Sequence, residues 1–379
     1  MRPTWAEISR SALQHNFRII QQHVAPATVC AIVKANAYGH GLVACARTFK
    51  DAGAEWFGVT GTEEGVQLRE AGIRGRILLM TCFWRGEQDD VIEHHLTPAI
   101  WEWWQVGALE NALVKRNAPP ASFPVHIKVD TGMARLGVPD YYVGIFLKRM
   151  KAAAQLKIEG IFSHLASAEV LDDAGAERQI AKFEEYESFV REQGYQPEYT
   201  HLANSAAIAG RPQIKRTMVR PGLLLYGYAL PFAWRGTVGA EPDPLPVHRA
   251  LTWKSRIIST KDVGEGQAVG YKSTWTTTRK AKLALLPVGY ADGLARLISG
   301  RGDVLIRGHR ARIVGAISMD MTIVDVTDIP GVQLGDEVTL LGRDGEHEID
   351  AREHARHTET IPYEVLCRIT GRVPRRMVE

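Results

Sequence analysis

The stretch AIVKANAYGHG, Ala31 to Gly41, carries one lysine out of an apolar run into small residues, Asn, Tyr, Gly and His. An unpaired buried ammonium is costly, so Lys34 must be neutralised, paired or used. Other isolated polar residues stand at or just beyond the ends of apolar runs. They are Lys128 and Arg135 in KVDTGMARLG, His164 in FSHLASAE, Asn204 and Ser205 in HLANSAA, and Arg220 in RPGLLLYG. Singly, a strand-end Lys or Arg reads as a solvated rim charge and a strand-end His as a packed polar group. Gathered on one face, they read as a site. Basic side chains, a serine and a Gly turn suit an anion such as phosphate: Ser205 offers a hydroxyl and an N–H, and Gly222 and Leu223 offer N–H groups. A lysine facing phosphate can neutralise it, or its amine can form a Schiff base with a carbonyl cofactor such as pyridoxal phosphate. The residue types alone leave both open.

The elements that would gather these residues follow from periodicity. After an opening helix with Leu13, Phe17 and Ile20 on one face, eight short apolar runs read as strands: Val29 to Val33, Trp56 to Thr60, Ile77 to Met80, Thr97 to Ile100, Val125 to Val129, Gly160 to His164, Tyr199 to Leu202 and Thr217 to Arg220. Helical stretches intervene, as in ERQIAKFEEYESFV with Ile180, Phe183, Phe189 and Val190. Alternating strand and helix predicts a parallel sheet, and eight such units predict a (β/α)8 TIM-type barrel over residues 9–240, with chemistry at the C-terminal strand ends. At PFAWRGTVGAEPDPLPVH, Pro231 to His248, Pro and Gly accumulate, which reads as a linker. Beyond it LTWKSRIIST, AKLALLPVGY, DVLIRG, ARIVGAISMDMTIVDV and DEVTLLG predict a mostly antiparallel β domain over residues 241–379.

Composition narrows the classes of function. With 379 residues and 45% hydrophobic content the chain can bury a sizeable core, and its length fits two domains. Lys and Arg total 46 against 43 Asp and Glu, so no electrostatic case exists for nucleic acid as a partner. Arg372, Arg375 and Arg376 form the tightest basic cluster and read as a solvated tail. MRPTWAEISR lacks an apolar signal core, and no uncharged apolar run approaches the roughly 18 residues of a membrane helix. A cytoplasmic protein without membrane contact is expected. Cys30, Cys45, Cys82 and Cys367 include no Cys-x-x-Cys pair, so no metal site or disulfide framework is expected and buried free thiols are.

VKANAYGHG resembles the pyridoxal-lysine signature of alanine racemases. KVDTGMARLG, FSHLASAE, HLANSAA, RPGLLLYG, AVGY, PVGYADG, SMDM and PYEVLCRITGRVPR resemble the same family in the same order, across nearly the whole chain. The resemblance implies a barrel plus β domain that binds pyridoxal 5'-phosphate and interconverts L- and D-alanine, supplying D-alanine for peptidoglycan. It makes Lys34 the cofactor lysine and one catalytic base, and Tyr271 of AVGY the other. Inverting a stereocentre removes the α-proton on one face and returns one on the other, so two bases are needed. In the family tyrosine takes the proton of the L-enantiomer and lysine that of the D-enantiomer. The tyrosine comes from the β domain of a neighbouring subunit, which implies a head-to-tail homodimer.

The same resemblance links that tyrosine through His164 to Arg220, which bonds the pyridine nitrogen. A guanidinium does not readily release its proton, so Arg220 would leave that nitrogen unprotonated and favour return of the proton to Cα over transamination. Arg135 and the N–H of Met319 match contacts to the substrate carboxylate. Lys128 matches a lysine often carbamylated in the family, where the resulting anion holds the neighbouring arginine; unmodified, Lys128 beside Arg135 is a like-charge conflict. Tyr38, Ser205, Gly222, Leu223 and Tyr363 match the phosphate cradle. Tyr363 and Tyr290 match residues that narrow the entrance, with Glu169 and Arg296 farther out, where the family more often has Asp and Arg. A crowded entrance selects small side chains, alanine first and serine more slowly. Lys272 follows Tyr271 where Gly is common in the family. Alternatives are a broader serine and alanine racemase, a barrel-type amino-acid decarboxylase, which would place a carboxylate where Arg220 stands, and a non-enzymatic pyridoxal-phosphate carrier, which would lack the β domain.

Overall fold

A computed structural model of the chain describes residues 2–229 and 245–379. The described residues form two compact units, one of residues 12–37, 42–229 and 245–248, the other of residues 2–11, 38–41 and 249–379. Residues 231–244 of the expected linker, and the expected 240/241 boundary, lie outside the described residues. Among the described residues no helix is long and apolar enough to cross a membrane.

The first strand, β1 (Thr4–Ser9), belongs to the second unit. The eight that follow form the first unit's parallel sheet: β2 (Thr28–Ile32), β3 (Trp56–Val59), β4 (Arg76–Leu79), β5 (Thr97–Ile100), β6 (Phe123–Lys128), β7 (Leu156–Phe162), β8 (Tyr199–His201) and β9 (Met218–Val219). Their order is β8-β7-β6-β5-β4-β3-β2-β9. The β8/β9 seam closes through an Asn204–Arg220 bridge, with the Arg220 N–H donating to Ala203 O at 3.0 Å and Thr217 N–H to Thr200 O at 3.2 Å. The barrel expected from the alternating pattern is therefore present, each strand within a few residues of its apolar run.

Helices cover one face of the sheet and side chains fill the other, so the strands read as unbroken apolar runs; β3, β4 and β5 are buried almost throughout. In the helix Arg10–Val24 the expected stripe of Leu13, Phe17 and Ile20 is buried, with Val24 one turn further. The helix Ala174–Glu192 buries Ile180, Phe183 and Val190, and Asp173 caps it by accepting from the N–H groups of Gly175 and Ala176 at 3.1 and 3.2 Å.

The second unit is built on β10 (Leu251–Arg256), β11 (Ser259–Val263), β12 (Ala268–Val269), β13 (Trp275–Thr276), β14 (Ala281–Leu286), β15 (Asp303–Ile306), β16 (His309–Val314), β17 (Thr322–Asp325), β18 (Glu337–Asp344), β19 (His347–Ile349) and β20 (Arg375–Val378). Its large sheet runs β11-β14-β17-β16-β15-β18-β10-β1-β20, with β19 on β18, and is antiparallel except where β1 meets β20. The expected antiparallel β domain is thus present, with β1 inserted between β10 and β20.

Two expectations fail. Arg372, Arg375 and Arg376 are not a loose tail, although Arg372 and Arg376 are exposed. Arg372 pairs with Asp320 at 2.6 Å, Arg375 donates to the carbonyls of Gly39 at 2.8 Å and Val373 at 2.7 Å, and Arg376 lies 4.8 Å over the Trp5 ring. Cys30, Cys45 and Cys82 are buried thiols as expected, but Cys367, near the end of a short helix, is exposed.

Candidate active site

Lys34 stands two residues beyond the end of β2, after Val33, whose N–H is tied to Gly58 O at 2.9 Å. The next four residues, Ala35, Asn36, Ala37 and Tyr38, all have φ of 52 to 53°, a left-handed turn closed by the Ala37 N–H on Val33 O at 2.7 Å. Each such residue costs roughly 1–2 kcal/mol, so the surroundings must impose the turn. The Glu64 carboxylate, from the helix Thr62–Glu70, accepts from the N–H groups of Ala35 at 2.6 Å and Thr60 at 2.8 Å. Asn36 Oδ1 accepts from Leu42 N–H at 2.8 Å, at the start of the helix Leu42–Asp51. Buried His40 bonds the Tyr38 carbonyl through Nδ1 at 3.0 Å, which gives it a place in the turn. A Cβ on Gly39 would lie 2.3 Å from Leu366 O, so the glycine is obligatory.

Across the barrel mouth Arg220 is buried at 4% exposure. Its Nη1 donates to His201 Nδ1 at 2.8 Å and His201 O at 2.9 Å, and its Nη2 to Ser163 O at 2.7 Å and Leu202 O at 3.3 Å. Nη2 also approaches His164 Nδ1 at 3.5 Å. The Nε–H has no acceptor among the described residues. One turn on, Ser205 Oγ accepts from Gly222 N–H at 2.8 Å and Leu224 N–H at 3.3 Å. Its lone pairs are thereby used and its own proton is left to donate.

Positive charge accumulates here, with the Asp130 carboxylate only a minor counterweight at Lys128. Lys128 is buried and reaches Met80 O at 3.5 Å, 5.3 Å from the Phe162 ring centre. Burial, then the positive charges of Arg220, Arg135 and Lys34, push its amine down to about 7. Burial and the same cluster push the His164 imidazole down to about 3, so it is neutral over the working range. Burial raises the Cys30 thiol to about 12, against the pull of Arg220. The charges of Lys34, Arg135 and Arg220 thus act on Lys128 and His164 at one mouth. Arg135 is exposed and Glu169 half-buried in a turn.

The second unit carries the remaining residues in two groups. Tyr38 and Tyr363 stand with ring centres 5.8 Å apart at 49°. Tyr271, 70% exposed, lines a cavity of about 340 Å³ with Gly270, Leu285, Ala316, Ser318, Met321 and Ile323. Tyr290 N–H bonds Ser318 O at 3.1 Å and Ala291 N–H bonds Met319 O at 3.1 Å, which places Tyr290 and Met319 beside that group. Tyr290, Met319 and Met321 are exposed as well. Lys272 has φ of 60°, the left-handed region, which explains why glycine is common there in the resembling family. Arg296 is exposed and opens the turn Arg296–Ile298, whose Ile298 is buried.

Four further residues bear on the site. Glu64 and Asn36 hold the lysine turn, and His126 and His201 lie behind Arg220. His126 was accessible to sequence reasoning, since it stands two residues before Lys128 and must share its face of β6. Glu64 had no such signal, because only the folded turn brings Ala35 to it.

The donor set fits a phosphorylated pyridine aldehyde. It offers an amine at a strand end, the Ser205 hydroxyl proton and the Leu223 amide for phosphate, and a buried guanidinium with one N–H still to place. These features define a barrel-plus-β-domain enzyme of the pyridoxal-lysine class. Family models for the alanine racemase N-terminal domain and C-terminal domain match residues 8–230 and 250–377. An alanine racemase of Geobacter sp. (strain M21) is 41% identical over 386 residues, covering 99% of this chain and 98% of that protein. The crystal structure of alanine racemase from D-cycloserine-producing Streptomyces lavendulae superposes with a TM-score of 0.92 at 32% identity, covering 100% of this chain and 98% of that one. That of Bartonella henselae alanine racemase, with covalently bound pyridoxal phosphate, does so with a TM-score of 0.86 at 30% identity over 100% of both chains. The chain belongs to the alanine racemase family.

Proposed function

We propose that this protein interconverts L- and D-alanine with pyridoxal 5'-phosphate held at the barrel mouth, as a head-to-tail homodimer in the cytoplasm, and supplies D-alanine for peptidoglycan. The observation that carries the reading is Arg220: a buried guanidinium with five donors, of which Nε–H has no protein acceptor among the described residues. Lys34 would hold the cofactor aldehyde carbon, and Arg220 its ring nitrogen. The Ser205 hydroxyl proton and the Leu223 amide would hold the phosphate, the expected Gly222 N–H being already given to Ser205 Oγ at 2.8 Å, with Tyr38 and Tyr363 completing that cradle. When bound, the cofactor delocalises the electron pair left at Cα as its proton departs.

The protein's own groups do the rest. Lys34 carries the proton on one face of Cα and Tyr271 on the other. A phenol has an ordinary pKa of about 10 and needs help to act as a base. His164 can give it: Arg220 Nη2–H points at Nδ1, so the neutral imidazole keeps its proton on Nε2 and donates to a phenolate. Tyr271 is 70% exposed, with exposed Met319 and Met321 around it, which supports a role completed by the barrel of a second subunit. Residues 241–379 thus serve as the domain that lends Tyr271 to its partner, opposite a barrel of residues 9–240. Arg135 and Met319 N–H orient the substrate carboxylate. Lys128, with its amine at about 7, is partly neutral at neutral pH, and that neutral amine can bond the carbon of carbon dioxide and release one N–H proton, leaving a carbamate anion beside Arg135. Tyr290, Tyr363, Glu169 and Arg296 shape an entrance suited to alanine.

The test is to follow L- and D-alanine by circular dichroism with the wild-type protein and two variants. Tyr271→Phe is expected to keep the visible cofactor band and lose racemisation, and Lys34→Ala to lose the covalent link. Full turnover by Tyr271→Phe in both directions would remove the two-base assignment. Colourless protein that added cofactor does not change would remove the whole reading.

A further inference from the structure

Behind Arg220 the barrel interior holds a line of polar groups that reaches its far end. Arg220 Nη1 donates to His201 Nδ1 at 2.8 Å, His201 Nε2 lies 2.9 Å from His126 Nδ1, and His126 Nε2 lies 3.6 Å from Glu159 Oε2. Glu159 pairs with Arg76, which sits 4.6 Å over the Trp56 ring. His126 and His201 are fully buried, and Glu159 is 4% exposed.

The direction of every proton in this line follows from its first member. A guanidinium only donates, so His201 Nδ1 must hold a lone pair and its proton sits on Nε2. That Nε2–H donates to His126, whose proton is in turn on Nε2 and faces the Glu159 carboxylate. At 3.6 Å this last contact is electrostatic rather than a full hydrogen bond. Burial keeps both imidazoles neutral, and it works against the Glu159 charge, yet His126 and Arg76 hold that carboxyl down to about 2.

The rings are also locked in place. Phe162 stacks on His201 with centres 4.6 Å apart, and His126 lies 5.0 Å from His201. A Cβ at Gly160 would stand 2.5 Å from His126 Nδ1, so only glycine leaves room for that ring. The β6–β7 register slips here, with Val125 opposite Ile158 and His126 opposite Gly160, which leaves Glu159 as the extra residue of a bulge. Bulges re-aim side chains, and this one brings a carboxylate to a parallel strand's buried interior. Among the described residues no carboxylate pairs directly with Arg220, so Glu159 is the nearest anion along the line.

We propose that Glu159 is a positioning residue for Arg220, acting through His126 and His201 to fix both imidazole tautomers and hence the orientation of the guanidinium. The inference rests on the reading of Arg220 as the partner of the cofactor ring nitrogen. Without an acceptor at 159 the reverse arrangement becomes accessible, with His126 Nδ1–H donating to His201 Nε2. His201 would then present Nδ1–H to Arg220 Nη1–H, two donors face to face, and the guanidinium must shift.

The experiment uses the full chain labelled with 15N at histidine, first free of cofactor. The native protein is expected to show His126 and His201 as neutral Nε2–H tautomers, and Glu159→Leu to change the tautomer signals of His201, two links away. Glu159→Gln, which keeps an oxygen acceptor, is expected to preserve the native pattern. An unchanged His201 in Glu159→Leu overturns the proposal; should that variant not fold, an altered tautomer in Glu159→Gln overturns it. After addition of pyridoxal phosphate, the visible band is expected to shift in Glu159→Leu and not in Glu159→Gln, and an identical band in all three proteins also counts against it. If the native tautomers are as expected but pyridoxal phosphate gives no band with native protein, it is the cofactor reading that fails.

Discussion

Lys128 offers the sharpest test of the charge distribution at the barrel mouth. Its amine falls from the ordinary 10.5 to about 7, first through burial and then through Arg220, Arg135 and Lys34. At about 1.4 kcal/mol per tenfold, that drop means that holding the ammonium in the folded protein costs up to about 5 kcal/mol relative to water. The sign follows from proton counts. Between about pH 7 and 10.5 the unfolded chain binds a proton at this lysine that the folded chain does not, so stability rises with pH across that window. Below pH 7 both states are protonated and the full penalty applies. Lys128→Met keeps the length of the side chain and removes the charge, at the loss of a long 3.5 Å contact to Met80 O. In cofactor-free protein and buffer freed of carbon dioxide, urea denaturation is expected to find Lys128→Met more stable than wild type at pH 6.5, by about 2 kcal/mol or more. The gap should shrink steadily towards pH 10, and bicarbonate at pH 8 should stabilise wild type without changing the variant. A variant less stable than wild type at pH 6.5, or a gap independent of pH, would refute the assignment of Lys128 as a buried, uncompensated amine.

Two further outcomes concern backbone held in the left-handed region. Glu64→Ala removes the carboxylate that accepts from Ala35 and Thr60 N–H, and bonds to a charged acceptor contribute about 1.5–3 kcal/mol each. Destabilisation of about 2 kcal/mol by urea, together with slower formation of the visible Lys34-linked band, is expected, and a stability within error of wild type would show that the turn holds itself. Lys272→Gly relieves a φ of 60° beside Tyr271 and is expected to raise stability by about 1 kcal/mol, read as a higher denaturation midpoint at unchanged slope.

The barrel was legible because its period is redundant. Each strand is buried on both faces, so β3, β4 and β5 appear as bare apolar runs, and the intervening helices show their stripes independently. The short strands β12, β13, β19 and β20 had no such signal, since two to four residues do not establish a period. Misreading Arg372, Arg375 and Arg376 has the same origin. RRMV is a strand only through its pairing with TWAEIS, and Arg375 stands 366 positions along the chain from Ser9. A charge cluster looks solvated until its acceptors, here Asp320 and the carbonyls of Gly39 and Val373, are in place.

At the barrel mouth, what sequence could supply was the set of groups that end strands, because a strand end fixes where a side chain emerges. Lys34, Lys128, His164 and Arg220 were each found that way. What it could not supply was how their protons are arranged, since that depends on donors meeting acceptors across strands. Arg220 decides it for His201 by donating at 2.8 Å, and His201 for His126 at 2.9 Å. The terminal acceptor arrives by a register slip of one residue between β6 and β7, a feature no spacing within either strand encodes. A change at Glu159 therefore looks remote in the sequence from Arg220, while in the folded barrel it lies three contacts away.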